Sequence, residues 1–200
     1  MDMENQGLNI IATLKEGINC GIKNILSLLI AVVLYVLTVW IPYLNVGTTV
    51  GFVKFIIAMG KGETADPFIL FRKDNFDNLG NLFLFLGLQA MGIFAASIFM
   101  FIPAIVLSIA WNFAIYFLVD RGMKPVEALD LSFKVTNGEK WRIFAVVFIM
   151  VLAMSVVSGL LGAIPKAGPA LSAIAAIFCA AICVAVESVM FKYFSDKAAE

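Results

Sequence analysis

Forty-two consecutive residues, Asn78 to Val119, contain no Asp, Glu, Lys or Arg. As one helix the run would extend about 63 Å at 1.5 Å per residue, twice the roughly 30 Å hydrocarbon core of a bilayer. The run therefore folds back on itself, and Pro103, within "MFIPAIV", stands near its middle. Proline donates no hydrogen bond and disfavours helix at the residue before it, so it suits the tip of a helical hairpin. Hydrophobic residues make up 62% of the chain and charged residues only 14%, against about 25% charged in soluble domains. The sequence reads as an all-α integral membrane protein.

The Ile-Pro pair recurs at Ile41-Pro42, Ile102-Pro103 and Ile164-Pro165, with the prolines 61 and 62 residues apart. Apolar runs precede each (Ile25–Trp40, Leu82–Phe101, Ile143–Ala163) and follow each (Tyr43–Gly60, Ala104–Val119, Ala170–Phe191). About twenty residues beyond the first two prolines come Lys61-Gly62 and Arg121-Gly122, then Pro67 with "FILF" and Pro125 with "ALDLSF". Gly closes a helix well and Pro opens one. The period is an interfacial helix, a span, a Pro turn at Pro42, Pro103 or Pro165, and a second span. Three such units, 1–62, 63–122 and 123–200, give one membrane domain of six transmembrane segments arranged as three hairpins.

Charge tests that count. With the N-terminus inside, twelve Lys and Arg fall on the inner side and Lys166 alone outside, leaving out Lys54 within a span. This obeys the positive-inside rule and places both termini of a multi-pass protein in the cytoplasm. The second span, "YLNVGTTVGFVKFIIAMG", is polar and Gly-rich enough to be re-entrant instead of fully crossing.

Met1 to Lys23 carries Asp2, Glu4 and Glu16 and does not read as a signal peptide. Its Leu8, Ile11, Leu14, Ile18 and Ile22 step by three and four, the pattern of an amphipathic helix on the membrane surface. In "KPVEALDLSFKV", Val126, Leu129 and Phe133 share one face, with Glu127, Asp130 and Lys134 turned away.

There is no histidine, which removes the usual general base and the commonest metal ligand. Acidic and basic residues balance at fourteen each, so no net field attracts nucleic acid. No residue set has the spacing of an acid–base pair or an activated nucleophile. Neither a metal nor a cofactor is implied, and the protein is expected not to be an enzyme. Cys179 and Cys183 share a helix face as small residues at a helix contact.

Ionisable or amide side chains inside spans are the functional candidates: Lys54, Glu187, Asn112 and Gln89. Lys54 and Glu187 lie near the inner interface, placed either to snorkel or to pair with each other. Small residues at four-residue spacing mark close helix contacts: Gly47 and Gly51, Ser155 and Gly159, Ala176 and Ala180. Asp66, Asp74 and Asp77, mixed with Arg72 and Lys73 in "FRKDNFDN", read as a solvated loop.

At "IPYLNVGTTVGF" and "LVDRGMKPVEALDLSFKVTNGEKWRIF" the chain resembles uncharacterised polytopic membrane proteins of Bacteroidetes and, more distantly, the membrane domain of glycerophosphodiester phosphodiesterases. The matching positions include Gly122, Pro125, Glu127, Ser132, Gly138, Lys140 and Trp141. The resemblance implies a multi-pass module of a bacterial cytoplasmic (inner) membrane without the soluble catalytic domain. The expected function is a non-enzymatic module that interacts with membrane lipids or scaffolds a membrane protein partner. The alternative is a homo-oligomeric channel or carrier lined by the polar second span.

Overall fold

A computed structural model describes residues 7–63, 65–99, 101–164 and 168–199. Nine α-helices are present among them: α1 (Ile10–Lys23), α2 (Ile25–Thr38), α3 (Pro42–Gly60), α4 (Leu79–Phe99), α5 (Phe101–Ala110), α6 (Ala114–Arg121), α7 (Pro125–Val135), α8 (Lys140–Gly162) and α9 (Gly168–Lys197). Two 3-10 turns, Pro67–Phe71 and Lys73–Phe76, lie between α3 and α4. Five helical stretches are long and apolar enough to cross a membrane, or six if α1 and α2, bent by 85° at Asn24, count as one. By itself α2 has 14 residues and rises about 21 Å, short of the roughly 30 Å a bilayer core requires.

The bundle is built inside out. Half of α3 is buried, against 11% of α4 and of α8, so α3 is central and the other two are peripheral. The peripheral helices display large apolar side chains such as Phe83, Phe94, Phe148 and Leu152, as lipid-facing helices do. The core is aromatic where α6 meets α9: Phe113 lies 4.9 Å from Phe194, and Tyr116 5.1 Å from Phe191, between ring centroids. Such pairs add about 0.5–1.5 kcal/mol each beyond their area.

The second span is a single unbroken helix of 19 residues. Its polar positions are spent on packing. Thr48 Oγ1 and Thr38 Oγ1 are 2.9 Å apart, and Thr49 Oγ1 is 3.2 Å from the Tyr35 hydroxyl, which joins α3 to α2. Gly47 and Gly51 do make a close contact, but with the 67–76 turns and not with another helix. The Phe76 ring covers Gly47, and a Cβ on Gly51 would sit 2.5 Å from the Leu70 Cα. The segment read as a solvated loop is therefore a wedge folded back along α3. Arg72, Lys73, Asp74 and Asp77 remain exposed, while Leu70 and Asn75 are buried. This wedge replaces the α-helix expected at the start of the second unit.

Two of the proline turns can be placed. Pro42 opens α3 after an extended Ile41, as a hairpin turn requires. Pro103 lies near the start of the described part of α5. Position 100, between α4 and α5, lies outside the described residues. Pro165 lies outside the described residues. The fourth span is broken at Trp111–Phe113 into α5 and α6. There the Ala110 carbonyl accepts from the Ser132 hydroxyl at 2.7 Å and the Thr136 hydroxyl at 3.3 Å, so α7 supplies donors from outside the helix.

Both amphipathic helices turn their charged residues outward, as expected, and most of the apolar stripe stays exposed with them. Helix α1 turns Thr13, Gly17 and Gly21 inward and exposes Ile11, Ile18 and Ile22. A Cβ on Gly17 would lie 2.6 Å from the Val186 Cα, so only glycine lets α1 approach α9 so closely. Helix α7 buries Ala128, Leu129, Ser132 and Val135 and exposes Val126 and Phe133. In water a large apolar residue is driven inward; beside lipid that drive vanishes, and small residues take the contact.

Candidate functional site

Lys54 and Glu187 have separate partners. Lys54 Nζ reaches across to the wedge and donates to Asp74 Oδ2 at 2.8 Å. That hydrogen bond, helped by the Lys54 charge, holds the Asp74 carboxyl below its ordinary value against desolvation, which acts in the other direction. Asn75, next in the chain, is fixed by its amide, which donates to the carbonyls of Ile69 at 2.8 Å and Leu70 at 3.2 Å. Only an NH2 group can serve two carbonyls, so the orientation is unambiguous, and Oδ1 is left buried without a partner. Lys54, Asp74 and Asn75 line a cavity of about 140 Å³ together with Asn78 and Asn81 at the start of α4. Val50, Leu82, Leu118, Val119, Gly122 and Met123 complete the wall. Gly122 has φ +61, which turns the chain from α6 toward α7 beside the cavity.

Glu187 and Asn112 are brought together. Asn112 Nδ2 donates to Glu187 Oε1 at 3.4 Å, and the Tyr116 hydroxyl bonds the same carboxylate. Asn112 lies in the α5–α6 break, so the cluster ties that break to α9. Helix α6 begins there, and its amino end favours a nearby carboxylate. Gln89 is half-buried in α4 and makes no hydrogen bond among the described residues. Of the small-residue pairs, Ala176 and Ala180 are half-buried on α9, whereas Ser155 is exposed and Gly159 has no atom within 4 Å of where a Cβ would stand. Cys20, Cys179 and Cys183 are free thiols, and no group of three potential metal ligands occurs among the described residues.

A third feature has a different character. Ile102, Ile105, Val106 and Ile109 of α5 face Lys140, Trp141 and Phe144 of α8, with Gly138 at one end, around an apolar groove of about 440 Å³. Lys140 Nζ rests 4.2 Å from the centre of the Phe133 ring, which holds the ammonium at one end of the groove. Trp141 is 83% exposed beside it.

Sequence reasoning found Lys54, Asn112 and Glu187 by their rarity inside apolar runs. It missed Tyr116, Asn75 and the partnership of Lys54 with Asp74. No spacing rule joins residues 20 apart across a loop, and a tyrosine in an apolar helix carries no signal of its own. No protein family, curated protein or solved structure matches the chain.

Proposed function

We propose that the protein is a non-enzymatic, multi-pass module of a bacterial inner membrane that holds phospholipid at the cytoplasmic leaflet. The groove between α5 and α8 carries this reading. Its walls are apolar, its volume is about 440 Å³, and a lysine and an exposed tryptophan stand at one end. Tryptophan and lysine favour the headgroup level of a bilayer, so an acyl chain in the groove would leave its phosphate beside Lys140. In this reading both termini and the basic ends of the spans are cytoplasmic. The three units repeat one plan, consistent with positive φ at both Gly62 and Gly122 and with Pro67 and Pro125 each opening the following element.

The channel reading has less support, because the polar residues of α3 are engaged by α2 and by the wedge. Lipid retention tests the proposal. Val106→Trp fills the groove and Lys140→Glu reverses its charge. Each is expected to lower phospholipid co-purifying with the protein in native mass spectra. Unchanged lipid in both variants would overturn the groove reading.

A further inference from the structure

The cavity at Lys54 shares no residue with the groove and has its own chemistry. A cation and an anion, paired at 2.8 Å, stand in its wall with 27% and 55% of their side chains exposed, so both can exchange partners. A ligand carrying only a phosphate would meet Lys54 but also Asp74. A ligand carrying only an ammonium would face the reverse conflict. A molecule with both groups satisfies the two residues at once, by inserting into the pair. Asn75 fixes the geometry beside the pair. It is 2% exposed and holds the turn under Asp74, whose Oδ2 takes an N–H from Lys54, so the fitting ligand is one whose positive group bears N–H in that place. Asn78 and Asn81, exposed at the start of α4, offer amide N–H groups to phosphate oxygens.

We propose that this cavity binds an amino-phosphate zwitterion of the phosphoethanolamine type, with the phosphate on Lys54 and the primary ammonium on Asp74. A phosphocholine group fails this specification, because its quaternary nitrogen has no N–H to give. The zwitterion can be the headgroup of a phospholipid, with the apolar wall at Val50 and Leu118 receiving its glycerol end, or a free small molecule of the same chemistry. The site rests on the membrane reading of the chain but not on the groove.

The test is competition in native mass spectrometry on the full chain, offered equal amounts of lyso-phosphatidylethanolamine, lyso-phosphatidylcholine and lyso-phosphatidylglycerol. Loss of a charge-assisted hydrogen bond corresponds to about tenfold in affinity, so the ethanolamine lipid is expected to exceed the choline lipid by about that factor. Asp74→Asn should remove the preference for ethanolamine over glycerol headgroups, with helix content unchanged by circular dichroism. Val106→Trp should leave the preference intact even if total lipid falls, which separates this site from the groove. Displacement by glycerophosphoethanolamine would assign the site to the free zwitterion, and resistance to it would assign the lipid; each outcome supports the ligand class. Equal binding of ethanolamine and choline lipids, or a preference unaffected by Asp74→Asn, would overturn the proposal.

Discussion

Replacing Gly51 by alanine probes the wedge at its tightest point. The new methyl would stand 2.5 Å from the Leu70 Cα, 3.0 Å from the Ile69 carbonyl oxygen and 2.6 Å from Asn75 Nδ2. Carbon atoms in good contact are about 3.5–4.0 Å apart, so the backbone of the turn must retreat by about 1 Å. Overpacking of this kind costs about 1–3 kcal/mol. The retreat also stretches the two hydrogen bonds from Asn75, each with a net contribution of about 0.5–1.5 kcal/mol. Against this, alanine improves on glycine within a helix by up to about 1 kcal/mol. The balance is a loss of about 2 kcal/mol. Gly159→Ala supplies the control, since nothing lies within 4 Å of its Cβ position, and it should gain about 0.5–1 kcal/mol. Gly47→Ala should fall between the two, because it meets the Phe76 ring, which can move, and not a backbone. Unfolding in mixed micelles by titrated dodecyl sulfate, followed by far-UV circular dichroism, measures all three. Gly51→Ala as stable as Gly159→Ala would refute the buried wedge.

Other perturbations reach the remaining contacts. Ser132→Ala with Thr136→Val leaves the Ala110 carbonyl without its outside donors and should cost about 1–3 kcal/mol in the same assay, while either single change costs less because one hydroxyl remains. Glu187→Leu strands the Asn112 amide and the Tyr116 hydroxyl and should destabilise by about 1–3 kcal/mol; Glu187→Gln keeps an acceptor and should cost less. The Lys54–Asp74 pair contributes at most about 1 kcal/mol because Asp74 is largely solvated. Its carboxyl titrates below the ordinary 3.8 in the folded protein, so the contribution is present above that pH and fades as pH falls through the lowered value. The difference in melting temperature between wild type and Asp74→Asn should therefore shrink on acidification below 3.8; a difference that grows would contradict the pair.

The sequence discloses what lipid imposes on a chain and conceals what one segment imposes on another. Long apolar runs, the turn at Pro42 and the glycine ends at Gly62 and Gly122 are local consequences of hydropathy and backbone chemistry, and each is where the sequence places it. The break at Trp111–Phe113 is not local. It depends on hydroxyls 22 and 26 residues further on. The ridge of Gly47 and Gly51 announces a close contact without naming its partner, so a 3-10 wedge and a helix are indistinguishable from it. The sides of α1 and α7 that pack against the bundle were hidden for a related reason. Periodicity identifies an apolar face, but beside lipid that face turns outward, and Gly17 and Ser132 mark the buried side. Of the candidate site, rare polar residues in apolar helices were legible, and the contacts that make them clusters were not.

Everything proposed for the groove and the cavity depends on which ends of the helices share a face of the membrane. Single cysteines at Gly62, Gly122 and Asn137, and separately at Trp40 and Ile164, each in a chain with Cys20, Cys179 and Cys183 replaced by serine, can be labelled in intact cells and in inverted vesicles with a membrane-impermeant maleimide. The account predicts that the first three react only in inverted vesicles and that positions 40 and 164 react in intact cells. Labelling of positions 62 and 122 from opposite sides would contradict it.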